Sequence, residues 1–499
     1  MNLTLDNNLG LKKNPFSKRS SEQELDFLEE IFFEPNYYGA LINDLSSGDS
    51  RFIIGQRGHG KSSIINKLVE DLEKEKKLFV IKIDRFETIP IKKNETAFLK
   101  LILKNLVTKL SIFLDKNKDL IKCLDQTDKE KLAFFIRLFF RTLSNEEYTN
   151  IYNNIHKVKV KNWFIGFFNR FGLVPVNTIT SSAVSVTSSL IRQTLGIDNA
   201  DSQNVYKEYF GVINEVDIKA IDIDKQDCSK DKLKQMLDQL LTIFNKLNFN
   251  TTIILFDKID EYQELNQDVV KIGQFTSEIL SDTELLLNDK LSIGFSLWSE
   301  LRAELSGTVR FDKFGSIDVR WKKTDLEPLI NKRIKYFSIK NDKTLADLVP
   351  NENDRNELLH IANKSPRDLI SLLSDIYREQ SNNNQNVTSF ESQSVSNGLI
   401  SFCSNYDYDS IYPSKVGRNK EIKAMINRIL AVRLTRFTAK NLTDTFNQNN
   451  SQSEGQIRLM LNYRLIREDD ILGNNNSKYY EVIDPKVEYL IRRIVTKIE

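Results

Sequence analysis

Five short runs of β-branched and aromatic residues, 51–55, 78–84, 251–257, 290–296 and 316–321, interrupt a chain whose apolar positions otherwise recur at helical spacing. Runs of that length with few polar breaks predict strands buried on both faces, as in a parallel sheet. Between them, Ile64, Ile65, Leu68 and Leu72 fall on one helical face. The stretches 99–114, 132–143 and 233–247 repeat apolar residues in the same way, and so do Leu326, Leu329, Ile330 and Ile334. Strands that alternate with helices predict an α/β architecture. The interval between the second and third runs is far longer than a strand–helix–strand crossing needs, which predicts a helical insertion over 86–249. A Ser/Asn-rich stretch follows residue 380 and predicts a flexible connection. Beyond it, helical patterns at 421–434, 438–446 and 453–463 precede two short strand patterns around a turn at 473–476, the order helix, helix, helix and wing.

The first strand runs into Gly55, Gln56, Arg57, Gly58, His59, Gly60, Lys61, Ser62 and Ser63, followed at once by the first helix. This is the spacing GxxxxGK[ST] in the context it requires. The glycines let successive backbone N–H groups turn toward a phosphate, Lys61 supplies a cation between β- and γ-phosphates, and Ser62 is placed to ligate Mg²⁺. The helix N-terminus adds its dipole to the same anion. Phosphate-loop binding of ATP or ADP is the expectation. A metal-holding carboxylate is then expected at the end of a neighbouring parallel strand, and Asp257 stands there with Asp260 and Glu261 close behind.

These motifs resemble those of prokaryotic STAND and AAA+-like P-loop ATPases, relatives of origin-recognition ATPases, over residues 14–85 and 250–380. The resemblance implies an AAA+-like core with strand order 5-1-4-3-2, a helical lid and a C-terminal winged helix. It also departs from the pattern. The usual AAA+ glutamate that orients the attacking water directly after the Walker B aspartate is replaced by Lys258, so hydrolysis depends on Asp260 or Glu261. Ser296 corresponds to a sensor-1 group and Arg367 to the sensor-2 arginine of the lid, although Lys364 and Ser365 stand where glycine is frequent. Phe16 and Tyr37 correspond to adenine-side stacking groups. The implied organisation is an adenine-side segment over 1–50, a core over 51–85 and 250–325, the insertion over 86–249, a lid over 326–380, a linker over 381–417 and a winged-helix-like domain over 418–499.

Composition narrows the partners. The 71 basic and 69 acidic residues leave a net charge of +2, so a nucleic-acid site must be a local patch. Three widely spaced cysteines offer no CxxC pair, and three histidines leave little for metal chemistry. The uncharged stretch 174–191 carries too many Ser, Thr and Asn residues to match a spanning helix, so no membrane partner is expected. Residues 1–13 show no secretory pattern, and a cytoplasmic location follows as the expectation. The basic-aromatic stretch around Trp163, Phe164, Phe167, Phe168 and Arg170 reads more readily as core than as a base-stacking platform. Gln456, Arg458 and Arg464, opposed by Glu454, form a thin footprint for DNA on the third C-terminal helix. The reading is a slowly hydrolysing switch ATPase that controls a homo-oligomer or an effector partner; relatives of this kind often serve in bacterial anti-phage defence. The alternatives are a DNA-binding initiator or loader resembling origin-recognition proteins, and a scaffold that holds ATP without turnover. Arg302, Arg310 and Arg320 are unranked candidates for an arginine finger.

Overall fold

A computed structural model describes residues 4–140, 191, 192, 195, 228–412, 419–469 and 478–498. Its centre is a parallel sheet of β1 (Arg51–Gly55), β2 (Leu78–Ile83), β3 (Thr251–Phe256), β4 (Leu291–Trp298) and β5 (Ser316–Val319). The strand order is β2-β3-β4-β1-β5, the order expected above read from the other edge. Alternation along each strand sends side chains to opposite faces. Ile53, Val80, Ile253 and Leu255 pack with α1 (Tyr38–Ser46) and α2 (Lys61–Leu72). Phe52, Phe79, Ile81, Ile254, Phe256 and Phe295 pack on the other side with α3 (Glu95–Lys116), α4 (Gln126–Phe135), α5 (Lys230–Lys246) and α6 (Val269–Leu280). Phe256 and Phe295 stack in adjacent strands at 4.9 Å, and Phe79 stacks on Phe244 of α5 at 4.4 Å.

The described part of 86–249 therefore begins and ends with helices laid on the sheet. The expected insertion is narrower than that range, because α3 and α5 belong to the core's own helical layer. Most of 141–227, including Trp163, Arg170 and nearly all of the polar stretch after 180, lies outside the described residues.

The lid contains α7 (Lys323–Phe337), α8 (Glu352–Ile361) and α9 (Pro366–Asn383). The stretch expected as a flexible connection instead carries α10 (Ser392–Ser404), packed along α9. Its serines misled the sequence reading: Ser394, Val395, Gly398, Leu399, Phe402 and Cys403 are its buried face, and small residues let two helices approach. At Gly398 an added Cβ would lie 2.7 Å from the backbone of Ile376.

The C-terminal unit comprises α11 (Asn419–Val432), β6 (Arg436–Thr438), α12 (Ala439–Phe446), α13 (Asn450–Asn462), β7 (Ile466–Glu468), β8 (Tyr479–Val482) and α14 (Pro485–Arg492). The predicted hairpin is β7 with β8, and β6 adds a third antiparallel strand, in the order β6-β8-β7. Neither β6 nor α14 was legible in the sequence, since three residues cannot show a period and α14 follows directly on the hairpin. Apolar residues of the lid, α10 and the C-terminal unit form one continuous cluster. Among the described residues no helix is long and apolar enough to cross a membrane.

Candidate nucleotide-binding site

The carboxyl edge of the sheet assembles the site. Phe256 pairs with Ile83 and with Phe295, so Asp84, Asp257 and Ser296 fall in a row across β2, β3 and β4. β1 ends beside them at Gly55, and the loop from Gln56 to Gly60 leads into α2. Gly58 and Gly60 have φ of 82° and 84°. An L-residue in that left-handed region costs roughly 1 kcal/mol, which is why the loop needs glycine at both places. Lys61 is buried, and its Nζ donates to the carbonyls of Gly55 at 2.9 Å and Gln56 at 3.2 Å. Burial lowers its pKa, against the opposing pull of Asp260 and Asp257.

Ser62 Oγ donates to Asp257 Oδ1 at 3.2 Å. The other carboxylate oxygen of Asp257 and the hydroxyl of Ser296 are buried with no hydrogen-bond partner. Unsatisfied polar atoms of this kind are uncommon in a folded chain and call for an explanation. A hydrated divalent cation held by Ser62 and Asp257 fits them, since both supply the hard oxygen ligands Mg²⁺ prefers. Burial raises the pKa of Asp257, while Lys82 opposes the shift; Lys82 Nζ lies 3.1 Å from Asp84 and 4.0 Å from Asp257.

Lys61, Ser62, Asp257 and Ser296 line a cavity of about 260 Å³ together with Arg57, Gly58, Gly60, Ser63, Asp260, Glu261 and Arg367. Gly55, Gln56 and His59 do not line it. They hold the loop instead: Gln56 accepts from Trp298 Nε1 at 3.2 Å and donates to Glu300 at 3.1 Å. His59 places Nδ1 3.2 Å from the Val319 carbonyl, and its own carbonyl accepts from Trp321 Nε1 at 2.8 Å. Burial lowers the His59 pKa, favouring the neutral ring.

The lid reaches the loop through the start of α9. Ser365 caps that helix, and the Arg367 N–H donates to the Gly58 carbonyl at 3.2 Å. The Arg367 side chain is solvent-exposed and also borders a second cavity of about 580 Å³, which shares Arg19, Arg57 and Gly58 with the first. Arg57 lies over the Trp298 ring at 4.4 Å and donates to the Asp260 carbonyl at 3.3 Å. Asp260 is buried, with its carboxylate 4.0 Å from Arg57 Nε. Glu261 opens onto the cavity and water reaches it, yet the protein around it, with the charges of Asp260 and Asp257, raises its pKa.

The two adenine-side candidates sit away from the phosphate cavity. Phe16 is fully buried in the apolar cluster of the lid, and Tyr37 is half-buried at the start of α1 against the core; neither lines the cavity. Arg19, Ser20, Ser21, Glu22 and Glu24 do line it, with Glu22 in an ion pair with Lys258. Burial opposes ionisation of Glu22, but the hydrogen bond and charge of Lys258 outweigh it and bring its pKa to about 2. Nothing in the aperiodic, charged stretch 17–26 announced this role. The arginine-finger candidates Arg302 and Arg320 both pair with Asp318, and Arg310 pairs with Asp312.

No family model matches the sequence, and no curated protein matches it. Among solved structures, similar chains include the ORC1 protein of Aeropyrum pernix in complex with DNA, at TM-score 0.35 and 8% identity, covering 96% of each chain. Cdc6p from Pyrobaculum aerophilum gives TM-score 0.30 and 10% identity over 98% of this chain and 97% of that one. Drosophila ORC bound to DNA gives TM-score 0.27 and 9% identity over 98% and 90%. At such scores and identities the likenesses carry no argument; the strand order and the phosphate loop carry it.

Proposed function

We propose that the chain binds ATP with Mg²⁺ in the cavity beneath Arg367 and acts as a slowly hydrolysing AAA+-like switch ATPase that controls its own assembly or an effector partner. The supporting observation is the pairing of Ser62 with Asp257 beside two orphaned buried oxygens, at the foot of a loop with left-handed glycines. Ser62 and Asp257 hold Mg²⁺, which would neutralise charge on the phosphates. Lys61 exchanges its carbonyl partners for phosphate oxygens, and Glu261 orients the attacking water. Lys258, where a glutamate is usual, favours a slow cycle, and that suits a regulator in the anti-phage setting the resemblance implies.

Fluorescent ATP-analogue binding tests this reading. Lys61→Ala is expected to weaken affinity about 10- to 100-fold, since a hydrogen bond to a charged group is worth about 1.5–3 kcal/mol, and to abolish phosphate release. Unchanged binding in that variant would overturn the assignment, and wild-type binding without any multiple-turnover phosphate release would leave a non-hydrolysing scaffold.

A DNA-binding initiator is the second reading, favoured by the exposed Arg458 on α13 beside a three-stranded wing. Other bases there are engaged within the chain: Arg464 with Glu300, Arg467 with Glu481 and Arg436 with Asp469. A salt-dependent duplex shift lost on changing Arg458 and Arg464 would establish this reading, and no shift at low salt would remove it.

A further inference from the structure

Residues 15–24 form a strap that walls one side of the phosphate cavity through Arg19, Ser20, Ser21, Glu22 and Glu24, and their anchors have a definite distribution. The buried guanidinium of Arg333, on lid helix α7, gathers both ends. Its Nε donates to the Pro15 carbonyl at 2.6 Å, Nη2 to the Lys18 carbonyl at 2.9 Å and Nη1 to Glu24 Oε1 at 2.6 Å. Arg19 adds a bond to Ser374 Oγ of α9 at 2.8 Å. These bonds fasten both ends of the strap to the lid, while Ser21–Gln23 near its middle packs on α2 of the core. Near its middle, Glu22 crosses to the core and pairs with Lys258, the residue after the metal-holding aspartate.

Lys258 has φ of 58° and ψ of 20°, a left-handed conformation that is costly for a residue with a side chain. Strain of this kind persists where the surroundings over-determine it, and it clusters at functional sites. Here it lies between the end of β3 and the turn that carries Asp260 and Glu261, and Lys258 lines the same cavity as Glu22. The sequence position that usually supplies a water-orienting carboxylate has thus become the core half of a strap contact.

We propose that the Glu22–Lys258 pair is a latch that closes the strap over a bound nucleoside di- or triphosphate, making Glu22 the positioning residue that sets how long nucleotide stays. This rests on the reading that the cavity takes a nucleotide. With the latch closed, the strap is held to the lid at its ends and to the core at its middle, so nucleotide leaves only when lid and core part. Lys258 then trades fast chemistry for retention, as a switch requires.

The test is dissociation of a fluorescent ADP analogue, chased with excess ADP, from the full chain and from Glu22→Gln, Lys258→Gln and the charge swap Glu22→Lys with Lys258→Glu. Because both partners are partly exposed, their pair is worth about 1 kcal/mol, so each single variant is expected to release nucleotide about 5-fold faster. The swap is expected to return within about 2-fold of the wild-type rate, a rescue that a merely structural loss would not give. Melting temperatures identify any variant that fails to fold, and Glu22→Gln, which changes no residue of β3 or of the turn after it, repeats the measurement with the chain around Asp257 intact. Dissociation unchanged in both single variants, or a swap no slower than they are, would overturn the latch while leaving nucleotide binding intact. Failure of the wild type to bind the analogue would instead overturn the underlying reading.

Discussion

At the residue scale, the acidic pair after β3 divides its labour by environment. Both line the cavity, but Asp260 is buried and engaged with Arg57, whereas Glu261 is open to water. Glu261→Gln is therefore expected to lower steady-state phosphate release by about 100-fold, within the range for losing a positioned base, while ADP affinity stays within about 2-fold. Its pKa is raised, so its carboxylate is lost at a pH above the ordinary 4.5 as the solution is acidified. Turnover should fall on that acid limb, and the limb should vanish in Glu261→Gln; its persistence would assign it to another group. Glu22 behaves oppositely. Its depressed pKa keeps it ionised, so the stability it contributes is complete above about 4.5 and is lost only as pH falls toward about 2. Nucleotide dissociation should accordingly be flat in pH from 5 to 8 as far as the latch is concerned.

At the element scale, the packing of α10 on α9 depends on the missing side chain at Gly398. Helix backbones already 2.7 Å from a prospective Cβ must separate to admit one. Gly398→Ala is expected to destabilise the chain by about 1–3 kcal/mol, the usual cost of overpacking, despite alanine's better helix propensity. Thermal or denaturant unfolding measures it, and a stabilised variant would mean that the two helices slide apart freely. The same contact explains why 381–417 resisted sequence reading. Ser and Asn are turn-forming residues in most settings, and their use here as a close-packing face depends on α9 being opposite. The strands β1 to β4, by contrast, were legible because a strand buried on both faces needs a near-continuous apolar run wherever it occurs.

At the scale of the whole molecule, two polar bridges tie the C-terminal unit to the nucleotide site. Arg464 pairs with Glu300, which accepts from Gln56 of the phosphate loop. Lys486 of α14, buried, pairs with Asp368 at 2.9 Å, next to Arg367. Magnitudes separate their roles. Arg464 is 67% exposed, so its pair contributes at most about 1 kcal/mol, whereas the apolar cluster shared by lid, α10 and C-terminal unit buries dozens of side chains. Arg464→Ala should therefore leave the radius of gyration unchanged in small-angle scattering, and an expanded particle would show that the pair, not the core, holds the unit in place. Lys486→Met should act otherwise. Leaving the Asp368 carboxylate buried without its cation, with the Tyr406 hydroxyl still donating to it at 2.9 Å, costs up to about 3–5 kcal/mol, which a lowered melting temperature would record.

Local chemistry determined the phosphate-loop pattern and the core strands from the sequence alone, because each depends on residue types at fixed spacing within one element. The tertiary structure decided what depends on residues far apart in the chain. It set Phe16 and Tyr37 away from the phosphate cavity, brought Arg19, Ser20, Ser21, Glu22 and Glu24 to its wall and paired Lys258 with Glu22, 236 positions earlier in the sequence. It also turned a serine-rich stretch into a packed helix. Spacing cannot report such choices, since a charge or a small side chain acquires its meaning from the partner that folding brings to it.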